Sequence, residues 1–279
     1  VSYDDGELPR AGELPAGCGY EAAAARAEIE ASMRRYQAIA EGNATDLPLT
    51  LACDLPDDVR RTAAAQNAAA LRGVIERAGD TYPYALVGTF GFGYPSMSDS
   101  ALVPWRPDQG CLELDKREMD RLSLNRVRAG RAAAGYHARL APVISVSGGA
   151  VHAPLTEAFM LMHLAVCTFG VPRDAVLLDP CADHTHTNVR HTGELIVQLG
   201  ARTGYIITDS GIQADYLQET TAFDPIGGAI DARALRDWGY LLGSWRQASV
   251  GIDAGFWFTP YRFWGEPHDG LGGFSCVAP

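Results

Sequence analysis

Short apolar runs alternate with longer segments of helical period through the middle of the chain, and this rhythm sets the expected architecture. Val143–Ser147, Ala175–Leu178 and Tyr205–Thr208 are brief and rich in aliphatic and β-branched residues, the pattern of strands buried on both faces. Between them, Thr156–Phe169 (closed by Gly170-Val171-Pro172) and Thr187–Leu199 read as helices. Upstream, Tyr82–Gly88 reads as a strand opening into the Gly/aromatic loop "TFGFGYPS", residues 96–111 read as loop, and Asp115–Leu140 as helix. Strands that alternate with helices imply βαβ units. The expected fold class is therefore α/β: a Rossmann-like, doubly wound, mostly parallel sheet over about residues 82–220.

The two ends have different textures. Glu21–Glu41 is alanine-rich, with Ile29, Met33, Tyr36 and Ile39 at helical spacing and Gly42-Asn43 as its stop. A second helix is expected after "DLPDD", with Pro56 in its first turn and Asp57 and Asp58 at its positive end, running to Gly79. Together these predict an N-terminal helical hairpin. Beyond Phe223 the helical period is lost, and "GFWFTPYRFWGEPHDGLGGF" predicts strands and loops in an irregular aromatic C-terminal extension. The layout is an N-terminal helical extension over 1–80, an α/β core over 81–222 and a C-terminal extension over 223–279, packed as one compact domain.

Composition narrows the partners. The chain has 279 residues, 47% of them hydrophobic, enough to bury a large core. It has no apolar run long enough for a transmembrane segment. A net charge of −11 argues against nucleic acid, whose phosphate backbone is held by clustered Lys and Arg. The polar, Pro/Gly-rich start at Val1 reads as a processed or trimmed N-terminus. Cys18, Cys53, Cys111, Cys167, Cys181 and Cys276 include no C-x-x-C pair, which argues against a zinc ribbon or redox motif. Their even number, with that N-terminus, favours disulfides and an extracytoplasmic location, periplasmic or secreted. The alternative is six small buried hydrophobes. The expected pairs are Cys18–Cys53, both at helix entries, then Cys167–Cys181, where a helix end meets the close of the next strand, leaving Cys111–Cys276.

In an open parallel sheet, ligands bind outside the carboxyl ends of the strands. The residues there are Gly88, Thr89 and Gly91 after the first strand and Ser147, Gly148 and Gly149 after the second. Asp179 and "CADHTHTN" follow the third, and Thr208, Asp209 and Ser210 the fourth. Glycines at such positions bare N–H groups, and the following helix starts add positive dipole ends, which suits an anion. The expected ligand-binding set is Ser147, Gly148, Gly149, Thr156, Glu157, Thr185, Asn188, Thr208 and Asp209, around a small anionic or nucleotide-like molecule. The competing explanation is that each polar residue merely caps a helix. Glu157 is the candidate catalytic residue, a general base or only an acidic first-turn residue. Ser147 sits in V-S-G-G, not in a G-x-S-x-G elbow, which favours a binding role over a nucleophilic one. His184, His186 and His191, with Asp179 or Asp183, are candidate zinc ligands, but their spacing matches no established site and no metal is expected. The tail aromatics Phe256, Trp257, Phe258, Tyr261, Phe263 and Trp264 can stack on a sugar or base, or pack as core and lid. No G-x-G-x-x-G or P-loop is present, and the sequence names no cofactor.

The order of these motifs resembles the YdcF-like family, which includes the SanA and ElyC envelope proteins of bacteria. "VSGG", "TEA", "GVP", a Thr-x-x-Asn and "YIIT" follow one another as in that family, through Ser147, Gly148, Gly149, Thr156, Glu157, Gly170, Val171, Pro172, Thr185, Asn188 and Thr208. The likeness covers about residues 82–220 and implies a Rossmann-like fold and an envelope-associated role. Departures are Asp179 for the family's Glu, His184 for its Asn, and Thr187 for a Glu. Ile212 and Asp215 stand where the family has His and Arg. Two function classes follow: an extracytoplasmic protein binding and acting on a phosphorylated or nucleotide-like envelope precursor, or a non-catalytic secreted binding, structural or assembly component with an envelope or extracellular partner.

Overall fold

The four apolar runs become strands β1 (Val87–Phe90), β2 (Ile144–Ser147), β3 (Val176–Asp179) and β4 (Gly204–Ile207), all parallel, in the order β3-β2-β1-β4. The computed structural model describes residues 55–77, 82–93, 95–199, 201, 203–209, 213, 217, 244–247 and 255–259. Two more strands from the C-terminal extension, β5 (Ser244–Gln247) and β6 (Gly255–Thr259), continue the sheet antiparallel, with β6 against β4. The expected helix at 21–41 and the Cys18–Cys53 pair lie outside the described residues.

The connecting helices are α1 (Asp57–Glu76), α2 (Lys116–Arg121), α3 (Ser123–His137), α4 (Glu157–His163) and α5 (Thr185–Gln198). Packing around glycines tells which face each one covers. A side chain at Gly135 of α3 would meet Val87 and Ile207, whereas one at Gly88 or Gly204 would meet Thr192 or Ile196 of α5. Val87 and Gly88 are consecutive in β1 and point to opposite faces, so α3 and α5 cover opposite sides of the sheet. The core beside α3 and α4 is built from Val87, Ile144, Val146, Phe159, Met160, Met162 and Ile207, closed by Trp105 and Leu102 from the 96–111 loop. The outer edge of β3 is covered by α1. Asn67 donates to the Leu178 carbonyl at 2.8 Å and accepts from the Leu178 N–H at 2.7 Å, as a neighbouring strand would.

Several boundaries differ from those expected. β1 begins at Val87 instead of Tyr82 and runs on to Phe90. The 115–140 helix is two: α2, capped by Asp115 accepting the Glu118 N–H at 2.8 Å, and α3, with Leu122 at the junction. After α4 the chain winds through one wide π turn, Leu164–Thr168, before Gly170 (φ 68°) ends it. The cysteine pairing is corrected. Cys111 is bonded to Cys167, which rules out both Cys167–Cys181 and Cys111–Cys276. Cys167 lies within the π turn, and its partner comes from the end of the 96–111 loop. Cys181 is disulfide-bonded as well. No helix among the described residues is long and apolar enough to cross a membrane.

Candidate functional site

A cleft of about 310 Å³ opens at the carboxyl ends of the parallel strands. The loop after β1 contributes Gly91, Phe92 and Gly93. Glu157 and His152 come from the β2–α4 connection, Asp183, His184, Thr185 and Asn188 from the β3–α5 connection, and Gln213 from beyond β4. Chain order reverses at β1, the position at which α/β sheets bind ligands.

Glu157 is the most unusual side chain in the wall. It begins α4, is only 8% exposed, and rests on bare backbone. A Cβ on Gly91, Gly93 or Gly148 would run into its side chain. Burial drives the carboxyl up to about 7, against the opposing pull of the Arg128 charge and an N–H donated by Gly93. Near neutrality both protonation states are therefore within reach, and the carboxyl can give or take a proton.

Gly148 and Gly149 serve that packing. Gly148 has φ 145°, a conformation that suits glycine. Its N–H donates to the Asp179 carbonyl at 2.9 Å, and the Gly149 N–H donates to Ala182 at 2.7 Å. The two glycine carbonyls in turn accept from the first N–H groups of α4, Ala158 at 2.8 Å and Glu157 at 3.3 Å. The donors expected to meet an anion are thus engaged by the chain itself, and the helix start is capped by backbone.

Beside the cleft, under α5, lies a buried polar cluster. Ser147 and Asp179 are register partners on one face of β2 and β3. The Ser147 hydroxyl, 1% exposed, is 2.5 Å from Asp179 Oδ2 and 2.6 Å from Asn188 Oδ1, with one proton to share between them. His191 Nδ1 reaches the same Asp179 oxygen at 3.0 Å. Burial alone would raise the Asp179 carboxyl. The His191 charge and the hydrogen bonds from His191, Ser147 and the Cys181 N–H outweigh it and hold the group below its ordinary value. Here the carboxylate stands between serine and histidine, the reverse of a Ser-His-Asp relay, so this geometry does not activate the hydroxyl. Its effect is to fix Asn188, whose Nδ2 donates to the His184 carbonyl at 2.8 Å.

Of the ligand-binding set expected from sequence, Glu157, Thr185 and Asn188 line the cleft, together with Gly91, Asp183 and His184, which the sequence named in other roles. Ser147, Thr156, Thr208 and Asp209 are buried, and with Gly148 and Gly149 they stand behind its surface. Thr208 donates to Gln213 Oε1, and Gln213 Nε2 donates to Thr185 Oγ1 at 3.3 Å. Asp209 binds a cation, but that cation is Arg128 of α3, at 2.5 Å. The histidines do not converge. The rings of His184 and His186 lie tilted by 35° with centroids 3.6 Å apart, while His191 turns to Asp179. Among the described residues no group of three or more His, Cys, Asp or Glu side chains is placed to hold a metal ion. Sequence reasoning missed His152, Gln213, Asn125 and Arg128. The last two had a signal, for they are polar residues at i and i+3 on the alanine-rich buried face of α3.

Fold and site thus define an α/β protein with a parallel four-stranded core and a small polar cleft at its carboxyl edge. Comparison of the chain with family models, curated proteins and solved structures finds no match.

Proposed function

We propose that this is a YdcF-like protein with a Rossmann-like, doubly wound core, which binds a small polar molecule in the cleft and exchanges a proton with it through Glu157. The carrying observation is the Glu157 carboxyl, raised to about 7 by burial in the wall of the cleft. Strongly shifted groups in clefts are where acid–base chemistry is found. A volume of about 310 Å³ is at the small end for ligand sites, which suits one ring or one charged head group. Among the described residues the lining holds no Lys or Arg. An anionic or nucleotide-like ligand is therefore met by protonated Glu157, the Thr185 hydroxyl, the Asn188 and Gln213 amides and the imidazoles of His152 and His184. An extracytoplasmic place and a cell-envelope precursor as substrate are supported by the motif order from Ser147 to Thr208 and by the Cys111–Cys167 bond. The C-terminal extension then packs on the core through β6.

A second reading is a non-catalytic binding or assembly component. It is favoured by Ile212 and Asp215 at the two positions where the resemblance has His and Arg. A crystal soak and calorimetric titration with inorganic phosphate, nucleotides and sugar phosphates separate the two. Density against Thr185 and Asn188, with turnover lost in Glu157→Gln, supports an enzyme. Binding that never leads to turnover supports the second reading, and binding elsewhere on the chain refutes the proposed cleft.

A further inference from the structure

The cleft wall that holds Glu157 is itself held from behind. Asn125 and Arg128 are 0% and 2% exposed, one helical turn apart on α3, and neither lines the cleft. Asn125 grips the backbone of Phe92 at both ends. Its Oδ1 accepts from the Phe92 N–H at 2.8 Å and its Nδ2 donates to the Phe92 carbonyl at 2.7 Å. Arg128 Nη1 donates to the carbonyls of Phe90 and Gly91 at 3.0 and 2.8 Å. Its Nε and Nη2 are held by Asp209 Oδ2 at 3.0 and 2.5 Å, and its guanidinium lies over the Phe92 ring, 5.3 Å from the centroid. Four backbone groups in three consecutive residues are thereby fixed, and the next residue, Gly93, presents its N–H to Glu157.

We infer that Asn125 and Arg128 are positioning residues for Glu157, acting by clamping the 90–93 segment onto it. The inference rests on the reading of Glu157 as the acid–base group of the cleft. It assigns the segment after β1 a task its glycines alone do not explain. Gly91 and Gly93 make room for the carboxyl, but glycine-rich backbone does not hold still, and the α3 fork supplies the rigidity. The Asp209 carboxylate keeps the guanidinium aimed at the two carbonyls and offsets part of its charge. Among the described residues the other titratable groups at the cleft are His152 before α4 and Asp183 and His184 before α5. None of them is altered by the changes below.

The test follows the Glu157 carboxyl by NMR in protein carrying glutamate labelled at the carboxyl carbon, assigned by its loss in Glu157→Gln. Asn125→Ala changes no charge. If the clamp positions the loop, the weakened Gly93 donor lets Glu157 titrate about one pH unit higher than in wild type. Arg128→Met/Asp209→Asn removes both partners without leaving a lone buried charge, and is expected to shift the titration further up, since it also removes the Arg128 charge that lowers Glu157. Arg128→Lys keeps the charge but loses the fork, and should fall between. Should the arginine variants fail to fold, Asn125→Ala decides alone. A folded Asn125→Ala protein in which Glu157 titrates at the wild-type pH overturns the inference. Wild-type Glu157 titrating in the ordinary carboxylate range removes the acid–base reading and this inference with it. An upward shift in Asn125→Ala supports the clamp even where no ligand of the cleft is found.

Discussion

A Cβ placed on Gly148 would stand 2.6 Å from Glu157 Oε2 and 2.7 Å from Glu157 Cβ. The Ser-Gly-Gly at the end of β2 is therefore a seat for a carboxyl group. It gives up the bare N–H groups that its sequence advertises and gains a close approach to the acid.

Gly148→Ala should thus fail twice, through its φ of 145° and through the clash with Glu157. The expected loss of stability is about 2–4 kcal/mol, read from urea unfolding. A loss under about 0.5 kcal/mol, the range of neutral surface changes, would contradict this packing.

Glu157 makes stability fall with rising pH. Its folded-state pKa is raised, to about 7 from an ordinary 4.5, so the native state binds the proton more tightly than the unfolded chain. Below 4.5 there is no penalty. The cost grows as pH rises toward 7 and is complete above it. Glu157→Gln imitates the protonated form. It should match wild type in acid and exceed it above pH 7 by on the order of 3 kcal/mol, measured by denaturant unfolding at a series of pH values. Equal stabilities at all pH values would mean an unshifted carboxyl.

Asp179 has the opposite sign. Its folded-state pKa lies below the ordinary 3.8, so its contribution is present above that value and is lost as pH falls through the folded pKa. Asp179→Ala removes the shared acceptor of the Ser147 hydroxyl, His191 Nδ1 and the Cys181 N–H. The expected cost is about 3 kcal/mol or more at neutral pH, with the difference from wild type shrinking in strong acid. An Asp179→Ala protein as stable as wild type at neutral pH would show that the cluster under α5 contributes nothing.

The bond between Cys111 and Cys167 closes a loop with a sequence separation of 56 around α2, α3 and β2. Peptide mapping without reductant should recover the two cysteines on one linked pair. A linked pair joining Cys167 to Cys181 would restore the pairing expected from sequence. Cys111→Ser/Cys167→Ser should cost about 2–4 kcal/mol.

The β/α alternation, the four parallel strands and the place of a cleft at their carboxyl ends were legible in the chain because they follow from short-range pattern. An apolar run of four or five residues between helical segments has few ways to be satisfied other than as a buried parallel strand. Glu157, Thr185 and Asn188 were legible for the same reason, since they lie at or near helix starts that follow strand ends. What each group does there was decided only in three dimensions. The N–H groups of Gly148 and Gly149 are engaged by the carbonyls of Asp179 and Ala182, across strands whose register no local motif encodes. Arg128 meets Asp209 from 81 residues away, and Cys111 meets Cys167 across a sequence separation of 56. Local sequence determines which elements form and what stands at their ends. Which donors are already engaged, and which carboxyl is left dry enough to hold its proton near neutrality, depends on how those ends pack against one another.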